Sequence, residues 1–397
     1  MIPPEWRFYV NEGVIYPNVS AIWDIIDWDT RRLLQVTGPP APLPENEEAL
    51  ELLTRYLDKL GPDDHIIKVD ENGDFVGVSS EDPTWEIRYP DYPGSLEDDS
   101  EDLICRSELT EIDRLAVCTD LVECNSTTTD GTTRKELVVF KYTIIEQRIS
   151  NIWQELHILK ALRGHDSFVP FHRVVIDDVT KQILGFTSQY IPGGSLEKYN
   201  QVFYFSWLKQ LTDAVDDLNL HFGIMHQDVA PRNVLVDPAT QSLKLFDFDR
   251  SAEIGGRGVR RGRNDVDAVI FTVYEALTKD QHFREIPFWE QDVSQVEALE
   301  EWELQLPLED GKDIAAYRSY LNEWAVVRRT TKTIEHYSEA TNPIPWPIYP
   351  EPQKLLVHDG SVSYTHRRRR RDVEAAGGYV TRWDRPPQQK KEGQSLN

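Results

Sequence analysis

The stretch from His226 to Asp249, HQDVAPRNVLVDPATQSLKLFDFD, constrains this chain more than any other. It sets Asp228, Asn233 and Asp247 in a fixed order, the second five and the third nineteen residues after the first. The apolar runs Val234-Leu235-Val236 and Leu243-Lys244-Leu245-Phe246 predict two short strands, with Pro238 and its polar neighbours as the turn between them. Such a hairpin brings Asn233 and Asp247 to adjacent loop ends, with Asp228 on the loop before. Two oxygen ligands and a nearby carboxylate suit a magnesium-held triphosphate, because Mg²⁺ takes hard oxygens and keeps phosphates as co-ligands. Asp228 is then free to orient or deprotonate an attacking hydroxyl. The ordinary alternative is that Asp and Asn are simply common at turns. Independent matches on both sides, in the correct order, weigh against it.

Composition bounds what the rest can be. The chain has 397 residues, of which 40% are hydrophobic, enough for a globular catalytic domain with appendages. Its formal net charge of −25 argues against wholesale nucleic-acid binding. Cys105, Cys118 and Cys124 cannot form a disulfide framework and lack metal-ligand spacing, which points to an intracellular protein. The first thirty residues contain no basic start followed by an apolar run. No apolar stretch approaches the roughly eighteen residues of a membrane span, so no membrane partner is expected.

Residues 1–108 read as an extension of unfamiliar type. Trp6, Phe8, Tyr9, Ile15, Tyr16, Ile22, Trp23, Ile25, Ile26 and Trp28 make its start apolar enough to pack. Leu50, Leu52, Leu53, Tyr56, Leu57 and Leu60 have near-helical spacing, ended by Gly61-Pro62. His65–Val69 and Phe75–Val78 flank Asp70-Glu71-Asn72-Gly73-Asp74 as a hairpin. That acidic turn resembles a calcium loop only in charge; without the other ligands or flanking helices a plain turn is favoured. Asp91–Asp102, acidic and turn-rich, reads as an exposed linker.

From Leu109 the pattern can be mapped. Glu111–Ala116, Asp120–Cys124 and Lys135–Tyr142 read as strands, the last carrying Val138-Val139-Phe140-Lys141. Ile149–Leu162 is an amphipathic helix with Ile152, Leu156, Leu159 and Leu162 on one face. Phe168–Asp177 and Ile183–Ile191 are two more strands. Tyr204–Phe222 is a helix leading into the His226 stretch, and Asp265–Glu275 and Asp313–Arg329 are further helices.

Together these segments resemble the protein kinases, with His226-Gln227-Asp228 for the usual H-R-D and Asp247-Phe248-Asp249 for D-F-G. The resemblance covers 109 to about 330. It implies an α+β, two-lobed protein-kinase-like fold: a small five-stranded antiparallel sheet lobe plus one helix over 109–191, and a larger, mainly helical lobe over 192–330. It implies ATP and Mg²⁺ as cofactors. Lys141 would hold the α- and β-phosphates and pair with Glu155. Glu146 is the rival, but it lies too few residues after Lys141 to have begun the helix. The backbone at Gln189 and Ile191 would meet the adenine edge, Val117 and Cys118 the phosphates, Asn233 and Asp247 the metal, and Asp228 the acceptor. Asp265 would tie its helix to the catalytic-loop backbone.

The departures from the family pattern matter as much. The turn Ala116-Val117-Cys118-Thr119 has no glycine, which lets backbone amides approach phosphate closely, so that contact should be weaker or differently made. Gln227 replaces the arginine that docks a phosphorylated activation loop, and Asp249 replaces the D-F-G glycine. Only about fifteen residues separate Asp249 from Asp265, with no A-P-E-like segment. Short segments of this kind resemble the KEOPS-complex atypical kinase, the aminoglycoside and choline phosphotransferases, and fungal kinase-like proteins with H-Q-D and D-F-D. Arg250, Arg257, Arg260, Arg261 and Arg263 in segment 250–263 could dock an anionic ligand, or form a solvated loop balancing an acidic surface.

Residues 331–365, with Pro343, Pro345, Pro347, Pro350 and Pro352, read as a strap on the large lobe. Residues 366–397 open with His366 and Arg367–Arg371 and read as a disordered basic tail. Such a run is a nuclear address, a nucleic-acid patch or an internal partner for the acidic body, so the expected location is cytoplasmic with a nuclear alternative. Three functions stay open: an ATP-dependent transferase acting on a protein Ser/Thr hydroxyl, one acting on a small hydroxylated molecule, and a catalytically silent scaffold. Retention of Lys141, Glu155, Asp228, Asn233 and Asp247 together favours the first two, and the protein acceptor is preferred.

Overall fold

The computed structural model describes residues 2–127, 131–350, 354–356, 362–364 and 368–388. Part of the expected tail, including His366, Arg367 and residues 389–397, lies outside them, as does Pro352. The chain divides into two compact units. One comprises residues 1–149, 175–184 and 350–397, the other 150–174 and 185–349. No helix among the described residues is long and apolar enough to cross a membrane.

In the first unit, the apolar start of the chain builds a sheet of its own. Strands β1 (Phe8–Tyr16), β2 (Ser20–Asp27), β3 (Arg32–Gly38), β4 (Ile66–Val69) and β5 (Phe75–Ser79) lie in sequence order. β3 and β4 are parallel, so the chain must cross over between them, and helix α1 (Asn46–Tyr56) lies in that connection. Its Ala49, Leu52 and Leu53 pack on Ala21, Ile25, Leu34, Val36 and Ile67. The link Asp70–Asp74 is the expected hairpin turn: Asp70 Oδ1 accepts the Asn72 and Asp74 N–H groups at 2.8 and 3.0 Å. These backbone bonds give that carboxylate an ordinary turn role.

A second sheet follows, containing β6 (Leu103–Cys105), β7 (Thr110–Ala116), β8 (Thr119–Thr127) and β9 (Thr133–Tyr142). Residues 175–184 bring in the ends of β10 (Phe171–Ile176) and β11 (Ile183–Gln189), and the order is β6-β10-β11-β9-β8-β7. The expected five strands are therefore six, because Leu103–Cys105, read from sequence as part of the extension, joins the edge. A three-residue strand with two buried side chains carries too little periodicity to be read from sequence.

The tail departs furthest from expectation. Residues 368–388 are ordered, with a helix at Arg370–Ala375. Arg368 pairs with Glu86 at 2.8 Å, Arg371 with Glu81 at 2.5 Å, and Arg370 with both Asp82 and Asp384. Trp383 stacks on Tyr142, centroids 4.7 Å apart at 12°, beneath the guanidinium of Arg106 at 4.0 Å. Arg385 Nη1 reaches Glu111 at 2.7 Å and Asp120 at 3.1 Å, while its Nε donates to the Asp29 carbonyl at 2.9 Å. A basic run reads as disordered when its acids are unknown, and here they lie some 280 residues upstream in the chain.

The second unit holds α2 (Ile149–Ala161), α3 (Phe205–Asp216), α4 (Asp265–Thr278) and the helix Ile314–Thr330. α3 buries Trp207, Leu208, Leu211 and Val215 and runs into a π-turn at Asp217–His221. Chain 337–344 then runs along this turn: Thr341, Asn342 and Ile344 donate to the carbonyls of Leu220, His221 and Phe222 at 2.8–3.1 Å.

Trp383 is almost fully buried. Trp383→Ala is expected to destabilise the full chain by about 3–5 kcal/mol in a urea melt, the range for deleting a buried aromatic. An unchanged midpoint would restore the disordered-tail reading.

Candidate active site

The hairpin read from the sequence is present. β13 (Val234–Asp237) pairs antiparallel with β14 (Ser242–Leu245), Val234 opposite Leu245, after the two-residue strand β12 (Ile224–Met225). The Phe246 N–H donates to the Asn233 carbonyl at 3.1 Å, so Asn233 and Asp247 emerge side by side at the open end. The loop before them is held by α4. Asp265, capped by Asn264 and buried, accepts the N–H of His226 at 2.7 Å and of Gln227 at 2.8 Å. It also accepts Asn219 Nδ2 from the π-turn at 2.9 Å, and Arg328 in turn donates to Asn219 Oδ1 at 2.7 Å.

His226 is fully buried, its ring 4.9 Å from that of Phe248. The Asp228 N–H points at its Nδ1 and Nε2 lies 3.0 Å from the Phe246 carbonyl, an arrangement that puts the ring proton on Nε2. Phe248 is itself inaccessible, set edge-on to Phe168 at 5.8 Å. Its N–H donates to Glu155 Oε1 at 3.3 Å, joining α2 to the start of the Asp247-Phe248-Asp249 turn. Asp247 and Gln227 both have left-handed backbones, φ 71° and 64°. Such strain costs about 1–3 kcal/mol per residue and persists only where surrounding bonds over-determine it.

Gln227 has a structural role that the sequence did not reveal. Its Nε2 donates to the carbonyls of Arg250 at 2.7 Å and Gly258 at 3.0 Å, and its Oε1 accepts the Arg260 N–H at 2.7 Å. One neutral amide thus fastens segment 250–263 to the catalytic loop. Gly255 lets the same segment turn tightly: its φ is +69°, and a Cβ there would lie 2.4 Å from the Glu335 carbonyl oxygen. Arg232 was missed too, because in a loop no helical periodicity marks a four-residue offset as a contact.

Asp228 is buried. Arg232 Nη2 donates to Oδ1 at 2.7 Å and Oδ2 at 2.8 Å, and Asn233 Nδ2 to Oδ2 at 3.0 Å. Arg250 and Arg263 stand 3.6 Å from Oδ1. Burial opposes the charged form, but the Arg232 and Arg250 guanidiniums outweigh it and hold the carboxyl below the ordinary carboxylate range. Because Asn233 turns its amide nitrogen to Asp228, its oxygen is left facing away from that carboxylate. An amide oxygen such as that of Asn233 and a carboxylate such as that of Asp247 are hard-oxygen donors of the kind Mg²⁺ takes.

The remaining predicted residues fall as follows. Lys141 lies on β9 opposite Thr119, beside the turn that joins β7 and β8. Val117 and Cys118 of that turn pack against Ile2, Ile26, Trp28 and Ile145, and the Cys118 carbonyl accepts the Tyr142 N–H at 3.1 Å. Burial pushes the Cys118 thiol up to about 12. The glycine-free turn is therefore backed by the extension's core. Gln189 spends its N–H on the Pro170 carbonyl at 2.9 Å, so that group is not open to an adenine edge in this structure. Glu146, the rival to Glu155, accepts Arg88 at 2.6 Å.

A sheet-rich unit, a helical unit and a loop of this construction are the parts of a kinase-type fold. A family model described as protein kinase domain matches residues 124–338, over half of the chain, and the chain belongs to that family. Its members are phosphotransferases that use ATP with a divalent metal. Similar proteins include tyrosine-protein kinase JAK1 of Danio rerio, 26% identical over 164 residues (39% of this chain, 14% of the relative). Others are probable serine/threonine-protein kinase fnkB of Dictyostelium discoideum, 30% over 114 residues (27% and 21%), and casein kinase II subunit alpha' of Saccharomyces cerevisiae, 30% over 116 residues (25% and 30%). The chain spans less than a third of the length of each of these relatives.

Arg232→Ala is expected to raise the Asp228 pKa, since burial then acts with one less opposing charge; a carboxyl-carbon NMR titration reads this directly. With the folded pKa below the unfolded value of about 3.9, the Asp228 ion pairs stabilise the fold above that pH. They lose this effect as pH falls through the folded pKa. The variant should therefore lose its pH-dependent stability at a higher pH than the parent.

Proposed function

We propose that this protein is an ATP-dependent kinase that transfers the γ-phosphoryl group to a serine or threonine hydroxyl of a protein. Its short segment between the metal loop and α4 sets it apart, in the manner of atypical kinases. The observation that carries the reading is the ionised Asp228, held by Arg232 and Asn233 beside the hairpin end that presents Asn233 and Asp247.

In this reading the acceptor hydroxyl hydrogen-bonds to Asp228. Its oxygen bonds to the γ-phosphorus as the bond to the β–γ bridging oxygen breaks, and the proton passes to Asp228 and on to solvent. A carboxyl held below its usual pKa is a weak base, so Asp228 acts chiefly by orienting the hydroxyl, as suits a loose transition state. Asn233 and Asp247 would hold the metal, which when bound neutralises phosphate charge. Lys141, steadied by Glu155, would position the α- and β-phosphates. Gln189 and Ile191 would receive the adenine through their backbone. Val117 and Cys118 would meet the phosphates from a turn packed on the extension, without glycine's freedom to close on them. The absence of an A-P-E-like segment favours a second reading, transfer to a small hydroxylated molecule.

Mg-ATP is expected to raise the melting temperature, by mass action, and Lys141→Met to remove most of that shift. No shift at millimolar Mg-ATP would leave the scaffold reading. Asp247→Asn should weaken binding and turnover together, because loss of a metal ligand is felt in the ground state. Asp228→Asn should leave nucleotide binding nearly intact and cut transfer to a protein panel by about 10²–10⁴-fold. Full activity of that variant would remove Asp228 from the mechanism.

A further inference from the structure

The catalytic loop and segment 250–263 carry six arginines, and three of them share one carboxylate. Arg232, Arg250 and Arg263 all face Asp228, at 2.7, 3.6 and 3.6 Å. Arg257, Arg260 and Arg261 are exposed, and among the described residues they have no carboxylate within ion-pair distance. Other acids of this unit are committed elsewhere. Glu197 and Glu275 take Arg284, and Asp267 takes Arg329. Glu253, on the segment itself, feels His336. Arg263 lies partly over the Phe288 ring at 4.2 Å, and its Nε is buried without a hydrogen-bond partner.

This cluster works against its own chain. Like charges so close repel, and the arginines neighbouring Arg263 lower its pKa along with burial. A protein of net charge −25 has acids to spare, yet among the described residues none pairs with Arg257, Arg260 or Arg261. Gln227 bonds to the backbone of residues 250, 258 and 260, so the segment is fastened through its main chain and its guanidiniums are left to other partners. The excess positive charge therefore lies beside Asp228, where the acceptor hydroxyl must come.

We infer that the acceptor is a polypeptide whose phosphorylated serine or threonine has an anionic side chain, carboxylate or phosphate, within about two residues of it. The inference rests on the kinase reading above. Extended residues advance about 3.3 Å each, so an anion one or two positions from the hydroxyl comes within reach of segment 250–263, whose Arg250 and Arg263 stand 3.6 Å from Asp228. Planar guanidiniums suit both oxyanions by bidentate bonding. A nucleic-acid backbone fits less well, because a long polyanion would have to lie along the rest of a strongly acidic chain.

The test separates binding from transfer. Three labelled serine peptides, with alanine, aspartate or phosphoserine beside the acceptor, are titrated against the full chain by fluorescence anisotropy, with a twelve-nucleotide single-stranded RNA as competitor. The two anionic peptides are expected to bind at least about tenfold tighter than the neutral one. That advantage should shrink as KCl rises from about 50 to about 250 mM, and should vanish in Arg260→Glu/Arg261→Glu, whose melting temperature reports that it folds. The ratio of aspartate to phosphoserine affinity names the anion. Equal binding of all three peptides, an unaltered double variant, or displacement of every peptide by RNA overturns the inference. Labelled-ATP transfer is read in parallel. Tight anionic binding without transfer overturns the kinase reading alone, and equal transfer to neutral and anionic peptides overturns this inference alone.

Discussion

The buried carboxylate of Asp265 is the interaction on which the second unit depends. An isolated charge in the interior is expensive, and it is tolerated only when donors surround it. Here two backbone N–H groups of the catalytic loop and the Asn219 amide supply them, with Arg328 behind Asn219. The same bonds that satisfy Asp265 fix the backbone of His226 and Gln227. His226 can then pack against Phe248, Gln227 can hold a left-handed conformation, and Asp228 is presented next in line.

From Gln227 the order spreads into the segment that follows the metal loop. Three hydrogen bonds from one uncharged amide hold residues 250–260 in place. They need no phosphate, in contrast to the arginine–phosphate contact that the resemblance associates with this position. The opposing face of the same turn is fastened by α2, where Glu155 accepts the Phe248 N–H and Gln154 donates to the Ser251 carbonyl at 2.5 Å. The short segment is thus ordered from both of its neighbours.

In the first unit, ion pairs of arginines fasten the two terminal segments to the sheet. Asp120, buried at the start of β8, is paired with Arg31 and Arg385. Arg114 binds Asp29 at 2.5 Å and the Pro386 carbonyl at 2.9 Å. The extension, the β7–β8 strands and the C-terminal residues are thereby interlocked around the turn that carries Val117 and Cys118, and that turn rests on a core instead of on open solvent. Removing either terminal segment would strip partners from buried charges, which costs more than the pairs contribute in net stability.

The sequence by itself determined the elements whose information is local. The hairpin around Pro238, the helices α2, α3 and α4, and the order of Asp228, Asn233 and Asp247 follow from apolar periodicity and turn residues, which act over a few positions. The Asp265 tie was legible too, once the family resemblance was in hand. What only the tertiary structure decided depends on partners distant in the chain. Leu103–Cys105 is a strand because an edge is there to receive it. Arg368–Arg371 are ordered because Glu81, Asp82 and Glu86 meet them, though a run of five arginines carries no sign of where its acids lie. Gln227 looked like the loss of an arginine and is instead a clamp, because its role is set by a positive φ and by three backbone groups up to 33 residues away. Charge and hydrogen bonding act through space, and for these residues the space was set by the fold.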